Sequence, residues 1–260
     1  MSVLEAIILG LVQGLTEFLP VSSSGHLEMG HVLFGVDPDI NLTFDILVHG
    51  ATVLSTLVVF RNDIIKLFAG LFQFKWNEPT RYITLLVVSA IPVAIVGFLF
   101  EEQIEALFSG NLVFIGSMLL VTATLLAIAS YIKKRKREIG FFDAIIIGIA
   151  QTLAIIPGIS RSGATIATGL IIGNNKEGLA RFSFLMVIIP ILGANFIKLI
   201  KGDMTAGGNI DVFPLIAGFV AAFVAGLLAC KLMVNIVRKG NFIYFAIYCA
   251  IIGVFAIFVA

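Results

Sequence analysis

Two short stretches of this sequence combine residue types suited to acid–base and phosphate chemistry. The first holds Gln13 and Glu17, then Pro20, the serines Ser22, Ser23 and Ser24, and His26. Gln13 and Glu17 are four residues apart, so on a helix they share a face. Glu17 comes just before Pro20, which sets its carboxylate near the tip of a broken helix. The serines after the break can cap the next helix, and any one of them need be no more than a cap. A serine cluster with a histidine and a carboxylate also fits nucleophile-and-base chemistry. The second stretch holds Ser160, Arg161, Ser162 and Thr165 at the start of a predicted helix. Unpaired backbone N–H groups and the positive end of the helix dipole favour an anion there. Arg161 adds a guanidinium fork that suits phosphate oxygens. A structural alternative is an Arg161–Glu17 pair that locks the two stretches together.

The elements that carry these residues are those of a membrane chain. Of 260 residues, 59% are hydrophobic and 13% charged, and the mean hydropathy is +1.08. One soluble core could not hide that much apolar surface. Six apolar runs are long enough to span a bilayer: Phe44–Phe60, Tyr82–Phe100, Leu112–Ile132, Phe182–Ile200, Val212–Ile236 and Phe242–Val259. Two further apolar regions, Val3–Phe34 and Phe141–Gly173, are broken in the middle by Leu19 to His26 and by Pro157 to Gly163. Each reads as helix, break, helix. Such backbone is tolerated at membrane depth only where protein or a wet cavity satisfies it, which fits a re-entrant hairpin. The start, Met1 to Glu5, has no basic region or small-residue cleavage pattern, so the first apolar stretch is expected to be retained.

Leaving Arg161 aside, 14 of the remaining Lys and Arg residues fall on one side of this layout, including the run Lys133 to Arg137, and two, Lys198 and Lys201, on the other. The larger group marks the cytoplasmic side. That assignment works only if both broken regions return to the side they entered from. A shift of 138 residues aligns them without a gap, with nine identities over the 21 positions from Glu5 to Gly25. Gln13 falls on Gln151, Ser22, Ser24 and Gly25 on Ser160, Ser162 and Gly163, and Phe44 on Phe182. One hairpin followed by three crossings turns the second copy upside down. The expected fold is therefore an all-α polytopic membrane protein. It is a single membrane domain over 1–260, built from an inverted-topology repeat (about 1–138 and 139–260), with six transmembrane helices and two re-entrant hairpins. Ser23 is the mate of Arg161, so the two hairpins have diverged into an acidic, histidine-bearing lobe and a cationic one.

Other polar residues rank lower. Asp45 and His49 suit a supporting role near the site, and His31 falls at the far end of its short helix. Asn195 and Asn235 read as interhelical hydrogen-bond formers. Cys230 and Cys249 lie in apolar runs without metal or redox spacing and read as inert thiols. No nucleotide-loop or zinc-helix motif occurs, and nucleic-acid binding is not expected.

The runs Gly14 to His26 and Pro157 to Thr165 closely resemble the signature motifs of bacterial undecaprenyl-diphosphatases, the bacitracin-resistance type. The resemblance covers essentially the whole chain. It implies hydrolysis of undecaprenyl diphosphate to undecaprenyl phosphate and phosphate, recycling the carrier lipid of cell-wall synthesis. It also implies a plasma-membrane location, a site opening to the outer face, and a divalent cation, Mg2+ or Ca2+. By motif, Glu17 would hold the metal or assist proton transfer. Ser23 or His26 would be the nucleophile or its activating base. Arg161 with Ser160 and Thr165 would bind phosphate, with Gln13, Ser22 and Ser162 lining the substrate. The family's acidic motif is Glu or Gln followed four residues later by Glu; here it reads Gln13 to Glu17, which leaves one carboxylate and shifts coordination toward the diphosphate itself. A homodimer is compatible with the same pattern. The competing reading is a polyprenyl-phosphate flippase or transporter that uses the repeat for alternating access.

Overall fold

The chain opens with α1 (Val3–Thr16), a turn, and α2 (Ser23–Phe34). A long α3 (Pro38–Val59) follows, and at Phe60 the chain bends by 74° into α4 (Arg61–Leu71). Next come α5 (Glu78–Leu99), the short α6 (Glu101–Glu105) and α7 (Leu112–Tyr131). A helix–turn–helix like the first recurs as α8 (Phe141–Leu153) and α9 (Arg161–Ile171). The chain ends with α10 (Lys176–Met186), α11 (Ile188–Lys201), α12 (Val212–Lys239) and α13 (Ile243–Val259). This computed structural model describes residues 1–36, 38–108, 110–132, 137–201, 212–239 and 241–260, and their side chains except at 38–42, 198–201 and 238–239. Lys133 to Lys136 and the side chains of Lys198, Lys201, Arg238 and Lys239, which entered the charge count, lie outside the described residues. Among the described residues every element is helical apart from one isolated bridge between Arg137 and Asn174.

Four helices are long and apolar enough to cross a bilayer: α5, α7, α12, and α10 with α11 taken together as Lys176–Ile197. The bent α3–α4 pair would make a fifth. Of the six expected runs, Phe242–Val259 becomes α13, whose 17 residues sit at the short end of the spanning range. The run Phe182–Ile200 is interrupted at Val187. Pro190 clashes with the carbonyl four residues back, and that residue, Met186, is the last of α10. The basic segment between Arg61 and Arg81, which joins two of the expected spans, folds into α4 and the first turn of α5, because Leu67 and Gly70 recur at helical spacing and bury one face.

The two hairpins start alike. Glu5 reaches back to accept the N–H of Ser2 at 2.8 Å, and Asp143, its mate in the 138 offset, accepts that of Gly140 at 2.9 Å. α1 packs on α12 and α8 packs on α5. Both contacts use a glycine: a Cβ on Gly10 would lie 2.3 Å from the Gly218 carbonyl oxygen, and one on Gly148 would lie 2.4 Å from that of Ser89. Small residues let backbones close in where lipid supplies no hydrophobic drive. α7 and α13 cross at Gly116 and Gly253. Phe44 and Phe182 are both fully buried, and Phe18 from the first turn meets the Phe184 ring edge-on at 5.8 Å. The first hairpin's tip is thereby fixed to the core around α9 and α10.

Candidate functional site

Glu17 is the C-cap of α1 and lies in the break before Pro20. Its carboxylate is almost fully buried, so it needs partners, and it has four. Arg161 Nη2 donates to Oε1 at 2.6 Å. Ser23 Oγ donates to Oε2 at 2.8 Å and Gln13 Nε2 to the same oxygen at 3.0 Å. His49 Nε2, from α3, stands 3.8 Å from Oε2. Arg161 also donates through Nη1 to the Ser183 carbonyl at 2.9 Å, which fixes the guanidinium plane. The Arg161–Glu17 pair, the structural alternative to phosphate binding in the sequence, is therefore present, and it gathers Ser23, one of the two nucleophile candidates, with it.

The two breaks meet tip to tip. A Cβ on Gly25 would touch Gly158 Cα at 3.1 Å, and one on Gly163 would touch Pro20 Cβ at 3.4 Å. Ser22 accepts the Gly25 N–H at 3.3 Å, and Ser160 accepts that of Gly163 at 3.1 Å, so the aligned serines cap α2 and α9 in the same way. The break carbonyls also have matching supports. Thr122 on α7 donates to the Gly158 carbonyl at 3.1 Å, and Cys249 on α13 to that of Pro20 at 3.6 Å. Two helix N-termini thus converge beside the Glu17–Arg161 pair, an arrangement that suits a ligand with two anionic groups. Ser22 holds φ at +68°, a left-handed value that costs a non-glycine residue about 1–3 kcal/mol and persists only where its surroundings enforce it.

The expected site residues divide into two sets. Gln13, Glu17, Ser23 and Arg161 come together. Ser162 instead donates to the Leu19 carbonyl at 3.1 Å, tying one tip to the other. Thr165 bonds the Arg161 carbonyl and, at 2.7 Å, the Ser183 hydroxyl, and is fully buried. His26 is not bonded to Ser23. Its Nδ1 bonds the Ser22 carbonyl at 2.7 Å and its Nε2 bonds Tyr248 Oη at 2.8 Å. His31 pairs with Asp45 at 2.9 Å in the last turn of α2. Tyr248 and Thr122 carry no local signal, each being an ordinary residue within an apolar run. Ser183 had one signal, since the 138 offset places it on Asp45.

Among the described residues no three His, Cys, Asp or Glu side chains converge as a metal site. Glu17 nevertheless stands beside a buried oxygen without a partner, Gln13 Oε1. One carboxylate and one amide oxygen are hard donors that fit a hard divalent cation sharing its remaining positions with phosphate.

The family model described as "Bacitracin resistance protein BacA" matches residues 6–255. The chain belongs to this family. BacA relatives named undecaprenyl-diphosphatase match it end to end. The protein from Bacteroides fragilis is 56% identical over 98% of this chain and 97% of its own. That from Bacteroides thetaiotaomicron is 56% identical over 97% of each. That from Christiangramia forsetii is 50% identical over 100% of this chain and 99% of its own. BacA membership and the apolar helices make this a multi-pass membrane protein.

Proposed function

We propose that this chain is an undecaprenyl-diphosphate phosphatase. It hydrolyses the lipid diphosphate to undecaprenyl phosphate and phosphate, and so returns the carrier lipid to cell-wall synthesis. The observation that carries the reading is the buried Glu17 carboxylate, which holds Ser23 on one side and Arg161 on the other across the two hairpins. The substrate's phosphates bind at the N-termini of α2 and α9, with Arg161 balancing their charge. Ser23 Oγ attacks the terminal phosphorus and its proton passes to Glu17. The bond to the bridging oxygen breaks and undecaprenyl phosphate leaves. Water then attacks the phosphoserine, His26 Nε2 takes a water proton, and Glu17 returns its proton to Oγ as phosphate departs. Gln13 and Glu17 would hold a divalent cation, Mg2+ or Ca2+, which when bound neutralises phosphate charge as a Lewis acid.

The reading includes an inverted repeat, 1–138 and 139–260, with six spans and two re-entrant hairpins. It is supported by the matched caps at Ser22 and Ser160, the reciprocal tip contacts, and the paired packing of α1 on α12 and α8 on α5. The charge bias supports cytoplasmic placement of the basic loops, and the family resemblance supports a plasma-membrane protein whose site opens to the outer face. The flippase alternative finds no support in relatives that carry a diphosphatase name. The test is phosphate release from undecaprenyl diphosphate by purified protein with a divalent cation. Ser23→Ala should lower it at least about a thousandfold with the fold intact. Release by Ser23→Ala at the wild-type rate would overturn the nucleophile, and no release by wild type would overturn the function.

A further inference from the structure

His26 is bonded at both ring nitrogens, and the two partners are not equivalent. The Ser22 carbonyl can only accept, so in the neutral ring the proton sits on Nδ1, 2.7 Å away. The same carbonyl accepts the His26 backbone N–H at 3.2 Å, as the N-cap carbonyl does at the start of a helix. With its proton on Nδ1, the ring leaves Nε2 as a bare acceptor. That nitrogen faces Tyr248 Oη at 2.8 Å, and only the phenol can supply the hydrogen. The two rings lie nearly parallel, at 5° with centroids 5.7 Å apart, so the tyrosine ring supports the imidazole as well as bonding it. Tyr248 comes from α13, 222 residues away in the chain. Cys249, beside it, donates to the Pro20 carbonyl in the same hairpin's break.

We propose that Tyr248 is a positioning residue for the reaction: it fixes His26 in the tautomer whose basic nitrogen is Nε2 and holds that nitrogen in one place. The proposal rests on the phosphatase reading, in which His26 takes the water proton. It adds the last helix of the chain to a site otherwise built from the two hairpins. While the Tyr248 bond stands, Nε2 is covered. When the phenolic O–H rotates to another acceptor, its proton staying on Oη, Nε2 is left bare and already placed where water must lose its proton. Stacking and hydrogen bond have separable effects, because phenylalanine keeps the ring and removes only the hydroxyl.

The experiment compares wild type with Tyr248→Phe in the full-length protein in detergent. Phosphate release is measured across undecaprenyl diphosphate concentrations, and nitrogen NMR of histidine-labelled protein is recorded in parallel. The chain has three histidines, so His26→Gln identifies the His26 signals directly. The expected result is a kcat lower by about five- to tenfold with KM within about twofold, the scale of one lost hydrogen bond to a reacting group. In wild type the His26 spectrum should be that of a single tautomer protonated at Nδ1. In Tyr248→Phe its Nε2 resonance should shift. Wild-type kcat in Tyr248→Phe would overturn the proposal, as would a loss confined to KM or a wild-type ring protonated only at Nε2. If wild type releases no phosphate, the phosphatase reading and the catalytic purpose of the bond fall together. The NMR comparison still reports whether Tyr248 sets the tautomer, so that failure is distinguishable from a wrong geometry.

Discussion

Replacing Arg161 with methionine tests the joint between the two hairpins. The Arg161 and Glu17 side chains are 13% and 8% exposed, and their closest atoms are 2.6 Å apart. Unit charges about 4 Å apart attract by roughly 4 kcal/mol at an effective dielectric of about 20. Arg161→Met removes that attraction and leaves Glu17 with only the neutral donors Ser23 and Gln13 and the more distant His49. Breaking one side of a buried pair typically costs about 3–5 kcal/mol, because the remaining charge stays buried. At about 2–4 °C per kcal/mol for a chain of this size, Tm should fall by between about 6 and 20 °C. Adding Glu17→Gln removes the stranded charge, so the double variant should regain at least about 2 kcal/mol over Arg161→Met. Phosphate release should stay down by about a hundredfold or more in both, since phosphate loses its cation in each. Thermal unfolding in detergent and phosphate release measure the two effects separately. A Tm for Arg161→Met within about 2 °C of wild type, or a double variant no more stable than the single, would refute the paired-hairpin account.

Gly158 sits at φ +95°, and an added Cβ would lie 2.6 Å from the Ile115 carbonyl oxygen and 2.7 Å from Met118 Cβ. Gly158→Ala should therefore destabilise by about 3 kcal/mol or more in thermal unfolding, backbone strain and overpacking together; a Tm unchanged from wild type would contradict the packing of the second tip on α7. Gln13→Glu puts a second carboxylate on the face of Glu17, and the Mg2+ or Ca2+ concentration giving half-maximal phosphate release should fall about tenfold; an unchanged requirement would remove Gln13 from the cation's surroundings. The single tryptophan, Trp76, is 67% exposed beside Phe72 and Phe74 at 69% and 91%. Its emission in lipid vesicles should be blue-shifted and quenched by lipids brominated near the headgroup, whereas a water-like spectrum would show that this aromatic turn stands clear of the membrane.

Much of the protein is legible in its sequence, and the reasons are local. Hydrophobic runs long enough to span a bilayer, and breaks rich in Pro, Gly and Ser, are written in consecutive residues, so the helices and the two hairpin tips could be placed. The 138-residue offset exposed Ser22 with Ser160 and Gly25 with Gly163 as equivalent positions, and they prove to make equivalent caps. Glu17, Ser23 and Arg161 stood out because charge and hydroxyls inside apolar sequence need a partner. Sequence could not choose that partner, because contact between helices depends on rotation and approach that no local pattern encodes. The break at Val187 does carry a local mark in Pro190, whereas the 74° bend at Phe60 has no proline or glycine beside it. Only the tertiary structure turned Ser23 toward Glu17 and His26 away from it, onto a tyrosine 222 residues distant. The residue types for phosphate chemistry were fixed by the chain, while the division of labour among them was decided by which helices came to lie side by side.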